Sequence, residues 1–381
     1  PWAGPDSLLH FSIERRKLQL PSVPYHGVTR GDIGYIKLNS FMQTSADEVK
    51  KALEEFKADP RVKGVVLDLR GNGGGLVQSA VEIVGFFVPK GTEVLRTKGR
   101  TPSDTRVYRT THQPLMPDMP LAILIDGASA SASEITAGAM QDLDRAVLIG
   151  SRSFGKGLVQ GTRSLPYDQM LKVTTAKYYI PSGRLIQALD YSRRNPDGTV
   201  APTPDSLCNT FKTAHGREVK DGGGLKPDID IDWGTPSRLV FNLVRDNWIF
   251  DYATRFAATH ESIPSPQEFE ITDSIYADFK ASIDPKRLKY DKVCEEMLDA
   301  LEKTARTEGY MNDSTQAEFA AMRKLLTHDL DRDLDTRRKD IASYLATEIL
   351  GRYYYNRGEV IHDIKDDEAL DKAAALLRDP A

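Results

Sequence analysis

The residues best suited to chemistry lie in two short stretches. Asp126-Gly-Ala-Ser-Ala-Ser-Ala-Ser-Glu134 follows an apolar run, Leu121–Ile125, and precedes a helix-like pattern over 135–141. A strand, a turn of small residues and a helix can hold one hydroxyl at a sharp corner, with the N–H groups of the new helix aimed at whatever sits there. Ser129, Ser131 and Ser133 are the three candidates, and Ser131 is the expected nucleophile. A serine hydroxyl is a weak nucleophile and needs a base. No histidine stands in a recognisable motif near these serines, but Lys156 does, in Ser153-Phe-Gly-Lys-Gly-Leu-Val-Gln160. A lysine serves as base only when desolvation brings its pKa down from about 10.4 toward neutrality, so acids must keep away. The nearest acids in sequence are Asp144 and Asp168. Gln160, four residues beyond Lys156, could orient the amine as the third member of a triad.

A third stretch, Asp68-Leu-Arg-Gly-Asn-Gly-Gly-Gly75, follows the buried run 64–69. Its glycines let main-chain N–H groups meet a carbonyl oxygen with no side chain in the way, as an oxyanion hole requires. Ala132 N–H, next to the central serine, is the expected second donor. Other readings of these pieces are weaker. Leu76 stands where a dinucleotide fingerprint needs its third glycine, and Leu158 follows Gly157 where a phosphate loop needs Ser or Thr. A Ser/Ala run alone is an ordinary helix cap, and a lysine between glycines alone is an ordinary loop residue; their joint occurrence on one core gives them weight.

Positioning these residues takes an alternation of strands and helices. Strands are expected at 34–38, 64–69, 121–125, 146–149, 170–180 and 227–231. Helices are expected after a Ser45–Glu48 capping box and from Val77. The order reads as a layered α/β core over 31–236, with a polar loop at 98–120, a glycine-bearing loop at 150–161 and a polar excursion at 190–224. From Ser237 glycine becomes sparse and apolar residues recur at helical spacing. Residues 237–381 read as an all-helical domain, with helices around 267–282, 290–308, 314–350 and 366–378. Residues 1–30 read as a linker preceded by one strand over 8–20.

Composition narrows the function. Of 381 residues 40% are hydrophobic and 28% charged, which is globular. A net charge of −4 gives no basic footprint for nucleic acid. No run reaches the roughly 20 apolar residues of a membrane span. Cys208 and Cys294 have no zinc or redox spacing, and no HExxH occurs, so neither a metal nor another cofactor is expected. The chain begins with proline, which reads as a processed or trimmed piece.

The motifs closely resemble those of the carboxyl-terminal processing peptidases, the tail-specific serine proteases of peptidase family S41. The match rests on Gly34-Tyr-Ile, Leu67-Asp-Leu-Arg-Gly-Asn-Gly-Gly-Gly75, Gly127-Ala-Ser-Ala-Ser-Ala-Ser-Glu-Ile135, Ser153 to Gln160, Thr175-Ala-Lys-Tyr-Tyr-Ile-Pro-Ser-Gly183 and Lys226-Pro-Asp-Ile229, and covers roughly 31–232. The resemblance implies a ClpP/crotonase-like core and selects the middle serine, Ser131. It places the general base 25 residues on, at Lys156, with Gln160 assisting. It puts the oxyanion on Ala132 N–H and on Gly73 or Gly74. It implies protein or peptide substrates bound near their C-termini, export to a bacterial periplasm or cell envelope, and no cofactor, and it allows a homo-oligomer and an adaptor protein. Such peptidases carry a PDZ domain ahead of the core; only 8–20 could belong to one here, as its last strand. The family's core also serves retinoid-binding relatives, and acyl-CoA enzymes share its architecture. A non-catalytic binding protein is therefore the alternative, against which the Ser–Lys–Gln set speaks.

Overall fold

The computed structural model describes residues 10–16, 18, 20–102, 105–191, 194–234, 237–288 and 290–379. Two compact units divide the chain. One comprises Glu14–Trp233 together with Asp366–Ala381, and the other Pro1–Ile13 together with Gly234–Lys365.

The first unit runs through β1 (Tyr25–Thr29), β2 (Ile33–Lys37), α1 (Ser45–Ala58), β3 (Gly64–Asp68), α2 (Val77–Gly85), β4 (Glu93–Gly99) and β5 (Arg106–Arg109). It continues through β6 (Leu121–Ile125), α3 (Ala132–Asp142), β7 (Val147–Gly150), β8 (Leu158–Leu165), β9 (Gln169–Tyr179), β10 (Thr210–Lys212), β11 (Glu218–Lys220) and β12 (Ile229–Asp230). The main sheet has the order β1-β2-β3-β6-β7-β12. Only the β1–β2 pairing is antiparallel; the others are parallel. Every residue of β3 and β6 is buried, as continuous apolar runs require when both sheet faces are covered. Val49, Ala52, Leu53 and Phe56 of α1 supply one covering face. Because β3, β6 and β7 are parallel neighbours, the loops at their C-terminal ends gather at one edge of the sheet, where a doubly covered parallel sheet leaves room for a site.

A second, antiparallel sheet has the order β5-β4-β9-β8. Its long β8–β9 hairpin projects with both faces largely exposed, and Leu165, Tyr167, Met170 and Leu171 lie open near its tip. Strand β5 and the start of β8 fall in segments that read as loops, and β4 lies mostly in a stretch that showed no element, because inward residues are few: only Val94, Leu95 and Thr97 of β4 are buried.

The expected capping box at Ser45 is not formed. Thr44 is the cap position, and the Ser45 hydroxyl instead accepts from Met42 N–H at 2.6 Å. Glu48 accepts from the Thr44 hydroxyl at 2.7 Å and from Val23 N–H at 2.8 Å, tying the incoming chain to the helix. The expected strand over 8–20 is also absent from its described part: residues 10–16, 18 and 20 pair with nothing as a strand, while 8, 9, 17 and 19 lie outside the described residues. The stretch read as linker instead contributes β1 to the main sheet.

The second unit holds α4 (Arg238–Arg245), α5 (Trp248–Thr259), α6 (Asp273–Ser282), α7 (Val293–Thr307), α8 (Asp313–Leu326), α9 (Leu330–Thr336) and α10 (Arg338–Asp363), which breaks at Tyr355 (φ 54°). Leu243, Ile249, Phe279, Ile341, Leu345 and Ile349 are among its core residues. The stretch read as one helix over 314–350 is three, because Asp329 caps a new start by accepting from Arg332 N–H at 2.8 Å.

The chain then returns to the first unit as α11 (Glu368–Arg378), which packs on β3, β6 and β7 and buries Ala369, Leu370, Ala373, Ala374 and Leu377. Asp367 caps it, accepting from Leu370 N–H at 3.1 Å. The same carboxylate meets Arg70 at 2.5 Å, and Arg70 also pairs with Asp68 at 2.6 Å. Asp68 is 1% exposed and accepts from the Tyr35 hydroxyl at 2.7 Å and from Lys37 at 3.3 Å. Burial alone would raise its carboxyl pKa; the Lys37 and Arg70 cations override that and hold it well below the usual carboxylate range. Asp68→Asn is expected to cost about 3 kcal/mol in urea denaturation at pH 7, since it leaves buried cations uncompensated. The folded pKa lies below the unfolded one, so the stabilisation is present above about pH 4 and lost as pH falls through the folded value. The deficit of the variant should therefore shrink in acid; equal stability of the two proteins at pH 7 would count against this account.

Candidate active site

The corner that holds Ser131 forms where β6 ends and α3 begins. Ser131 occupies the N-cap position of α3 with φ 57° and ψ −113°, a backbone conformation that a non-glycine residue holds only under restraint. The restraint comes from its neighbours. Ala130 N–H donates to Asn72 O at 3.0 Å, and the Ser133 hydroxyl donates to the same oxygen at 2.8 Å. The Ser129 hydroxyl donates to Leu69 O at 2.8 Å. The flanking serines are thus spent on main-chain carbonyls, and they bind the corner to the glycine loop after β3.

That loop lies directly under Ser131. Gly74 has φ +96°, and a Cβ there would stand 2.6 Å from Ala130 O and 2.8 Å from Ala132 N, so only glycine fits. Gly74 N–H donates to Asn72 Oδ1 at 2.9 Å. Ala132 is the first residue of its helix, so its N–H has no intrahelical acceptor.

Lys156 is half-buried in the segment between β7 and β8. Its flanking glycines are needed by a strand-like segment running past them: a Cβ on Gly155 (φ +83°) would meet Ala188 Cβ at 2.4 Å. Ala188 N–H donates to Gly155 O at 2.9 Å, and Gly157 N–H donates to Gln187 Oε1 at 2.8 Å. Gln160 sits on β8 opposite Thr174, at a register shift. Ser131, Lys156 and Gln160 all line one cleft of about 370 Å³, together with Gly73, Gly74 and Lys172.

Two residues that the sequence did not single out hold this arrangement. Glu134 is 1% exposed and accepts four hydrogen bonds. Oε1 takes Ser153 Oγ–H at 2.6 Å and Gly155 N–H at 2.7 Å. Oε2 takes Ser131 N–H at 2.8 Å and Lys156 N–H at 2.9 Å. One carboxylate therefore fixes the main chain of the serine and of the lysine at once. Burial pushes its pKa up, and the four donors pull against that shift. Tyr178, 2% exposed, donates from its hydroxyl to Lys156 O and lies 3.4 Å from Ser131 O. Burial, with the Glu134 charge, pushes that phenol well above its ordinary value. Both residues lie inside the motifs quoted above. The only sequence signal was an acid three residues into a helix whose cap is a serine.

Known protein families resemble both parts of the chain. Residues 32–197 match the model of peptidase family S41. This region is an S41 peptidase domain. Residues 239–377 match the model described as "Probable PDZ-protease, C-terminal helical domain". A carboxy-terminal-processing protease of Bartonella bacilliformis is 40% identical over 238 residues, which are 61% of this chain and 53% of that protein. A "Probable CtpA-like serine protease" of Staphylococcus aureus is 29% identical over 324 residues, which are 81% of this chain and 53% of that protein. The chain thus spans about half the length of these curated relatives. Among solved structures, the photosystem II D1 C-terminal processing protease aligns with a TM-score of 0.42 at 25% identity, over 57% of this chain and 50% of that one. The S41 domain here is an α/β core of mixed sheets, and helices α4–α10 follow it.

Proposed function

We propose that the protein is a serine endopeptidase of the carboxyl-terminal processing type, cleaving extended or unfolded chains near their C-termini through a Ser–Lys dyad. The observation that carries this reading is one cleft lined by Ser131, Lys156 and Gln160 above the glycine loop. Lys156 Nζ takes the proton from Ser131 Oγ, which attacks the scissile carbonyl. The oxyanion rests on Ala132 N–H and on Gly73 N–H; Gly74 is set aside as donor because its N–H already serves Asn72. Lys156 then protonates the leaving amine, Gln160 orients the lysine, and water resolves the acyl-enzyme with the roles reversed. Substrate enters as an added strand, since main-chain pairing tolerates varied sequence. Its place of action is a bacterial cell envelope, by likeness to the named relatives.

The test is a pair of lysine variants assayed on casein. Lys156→Ala and Lys156→Arg are both expected to lose about a thousandfold or more in kcat. The guanidinium keeps the positive charge but cannot give up its proton at neutral pH. Activity retained by Lys156→Arg would reduce the lysine to an electrostatic role and overturn the dyad.

A further inference from the structure

The catalytic cleft carries two ammonium groups and no carboxylate on its lining. One is Lys156; the other is Lys172 of β9. The imbalance stands out in a chain whose net charge is −4. Lys172 has no acidic partner among the described residues. It stands opposite Thr162 in the hairpin register, two residues outward from the level of Gln160 and Thr174, or about 7 Å along the strand. The register sets Lys172 and Thr174 on one face with their partners Thr162 and Gln160, and Gln160, Lys172 and Tyr178 all line the cleft. With Lys156 assigned to the dyad, Lys172 is the other basic side chain on the cleft lining.

We infer that Lys172 is a specificity-determining residue that binds the carboxylate at the C-terminus of the substrate, within a few residues of the scissile bond. This rests on the peptidase reading above and adds to it a group that reads the chain end inside the S41 domain itself. The neighbouring strand favours a terminal carboxylate over an acidic side chain. β8 is the edge of its sheet, so an added chain would be held there by main-chain pairing. A chain terminus is the one carboxylate that every substrate offers regardless of sequence.

Binding measured on the Ser131→Ala protein tests the inference without requiring turnover. The probes are a fluorescein-labelled nine-residue peptide of small apolar residues and serine with a free C-terminus, its C-terminal amide, and the same amide with glutamate at the penultimate position. The free acid is expected to bind about fivefold tighter than the plain amide at low salt, with the difference fading at high ionic strength. Ser131→Ala/Lys172→Met should bind acid and amide alike. Ser131→Ala/Lys172→Arg should keep the preference, and Ser131→Ala/Arg163→Gln, altered on the opposite face of the hairpin, should also keep it. Equal binding of acid and amide by the Ser131→Ala protein, or a preference that survives Lys172→Met, overturns the inference. Tight binding of the glutamate amide, lost with Lys172→Met, overturns its restriction to the chain terminus. A protein with Ser131 intact that binds the acid selectively but cleaves nothing would refute the peptidase reading and leave the carboxylate site standing.

Discussion

Ser131→Ala is expected to lower casein turnover by at least a thousandfold while leaving the fold in place. Removing a serine nucleophile leaves only the residual catalysis of oriented donors and binding. The main-chain bonds that shape the corner come from Ser131 N–H, Ala130 N–H and the flanking serines, so losing the Ser131 hydroxyl disturbs none of them. Ser131→Gly should be equally inactive yet about 1 kcal/mol more stable than Ser131→Ala, because φ 57° with ψ −113° strains any residue bearing a Cβ. Urea denaturation of the two variants measures that difference. Ser129→Ala offers the contrast: its hydroxyl bonds Leu69 O, so its loss should cost stability before chemistry. If Ser129→Ala abolished turnover and Ser131→Ala kept it, the nucleophile would be misassigned.

The second large effect belongs to Glu134. Glu134→Ala strands four buried donors, each worth about 1–3 kcal/mol when left unsatisfied, so the protein should lose at least about 3 kcal/mol and all measurable activity. Glu134→Gln is the more informative change. Its single acceptor oxygen can serve only one pair of donors, and its NH2 group confronts the other pair. We expect the variant to fold and to lose about a hundredfold in kcat with little change in KM, because the fault lies in how Ser131 and Lys156 face each other. The acid side supplies a second readout. With the carboxyl pKa pushed up by burial, protonation on acidification begins above the ordinary glutamate range and puts a hydroxyl where an acceptor is needed. Protonation of the general base lowers turnover in acid in both proteins, so the wild-type limb, which gains a second proton at Glu134, should be the steeper, whereas Glu134→Gln has no proton to gain there. Acid limbs of equal steepness in the two proteins would show that Glu134 does not govern the site's geometry.

The candidate reacting groups are more legible in the sequence than what holds them. Ser131, Lys156 and Gln160 stand in contiguous motifs whose chemistry can be argued from residue type, and the strands of the main sheet are apolar runs that announce burial on both faces. Glu134 was illegible as a centre because its four donors come from Ser131, Ser153, Gly155 and Lys156, segments joined only by folding. The projecting β8–β9 hairpin gave half a signal: β9 is rich in strand-forming residues, but β8 begins in a glycine-bearing stretch and buries little. Helix α11 carries the same alternation of apolar and charged residues as the helices before it. Nothing in its composition says that Leu377 packs over the main sheet and not within the helical unit.

That return of the chain has a topological meaning. Trp233, the last residue of the first unit before the helices, lies with its ring centroid 5.8 Å from the Arg70 guanidinium, and Asp367, just after them, touches the same group at 2.5 Å. The helices are thus a guest domain whose departure and re-entry points share one anchor. To the host sheet, residues 234–365 amount to a closed loop, and loop-closure entropy rises only as the logarithm of length, by about 0.6 kcal/mol per doubling. The guest can be lengthened, shortened or exchanged at small thermodynamic cost to the host, provided that Arg70 keeps both of its contacts.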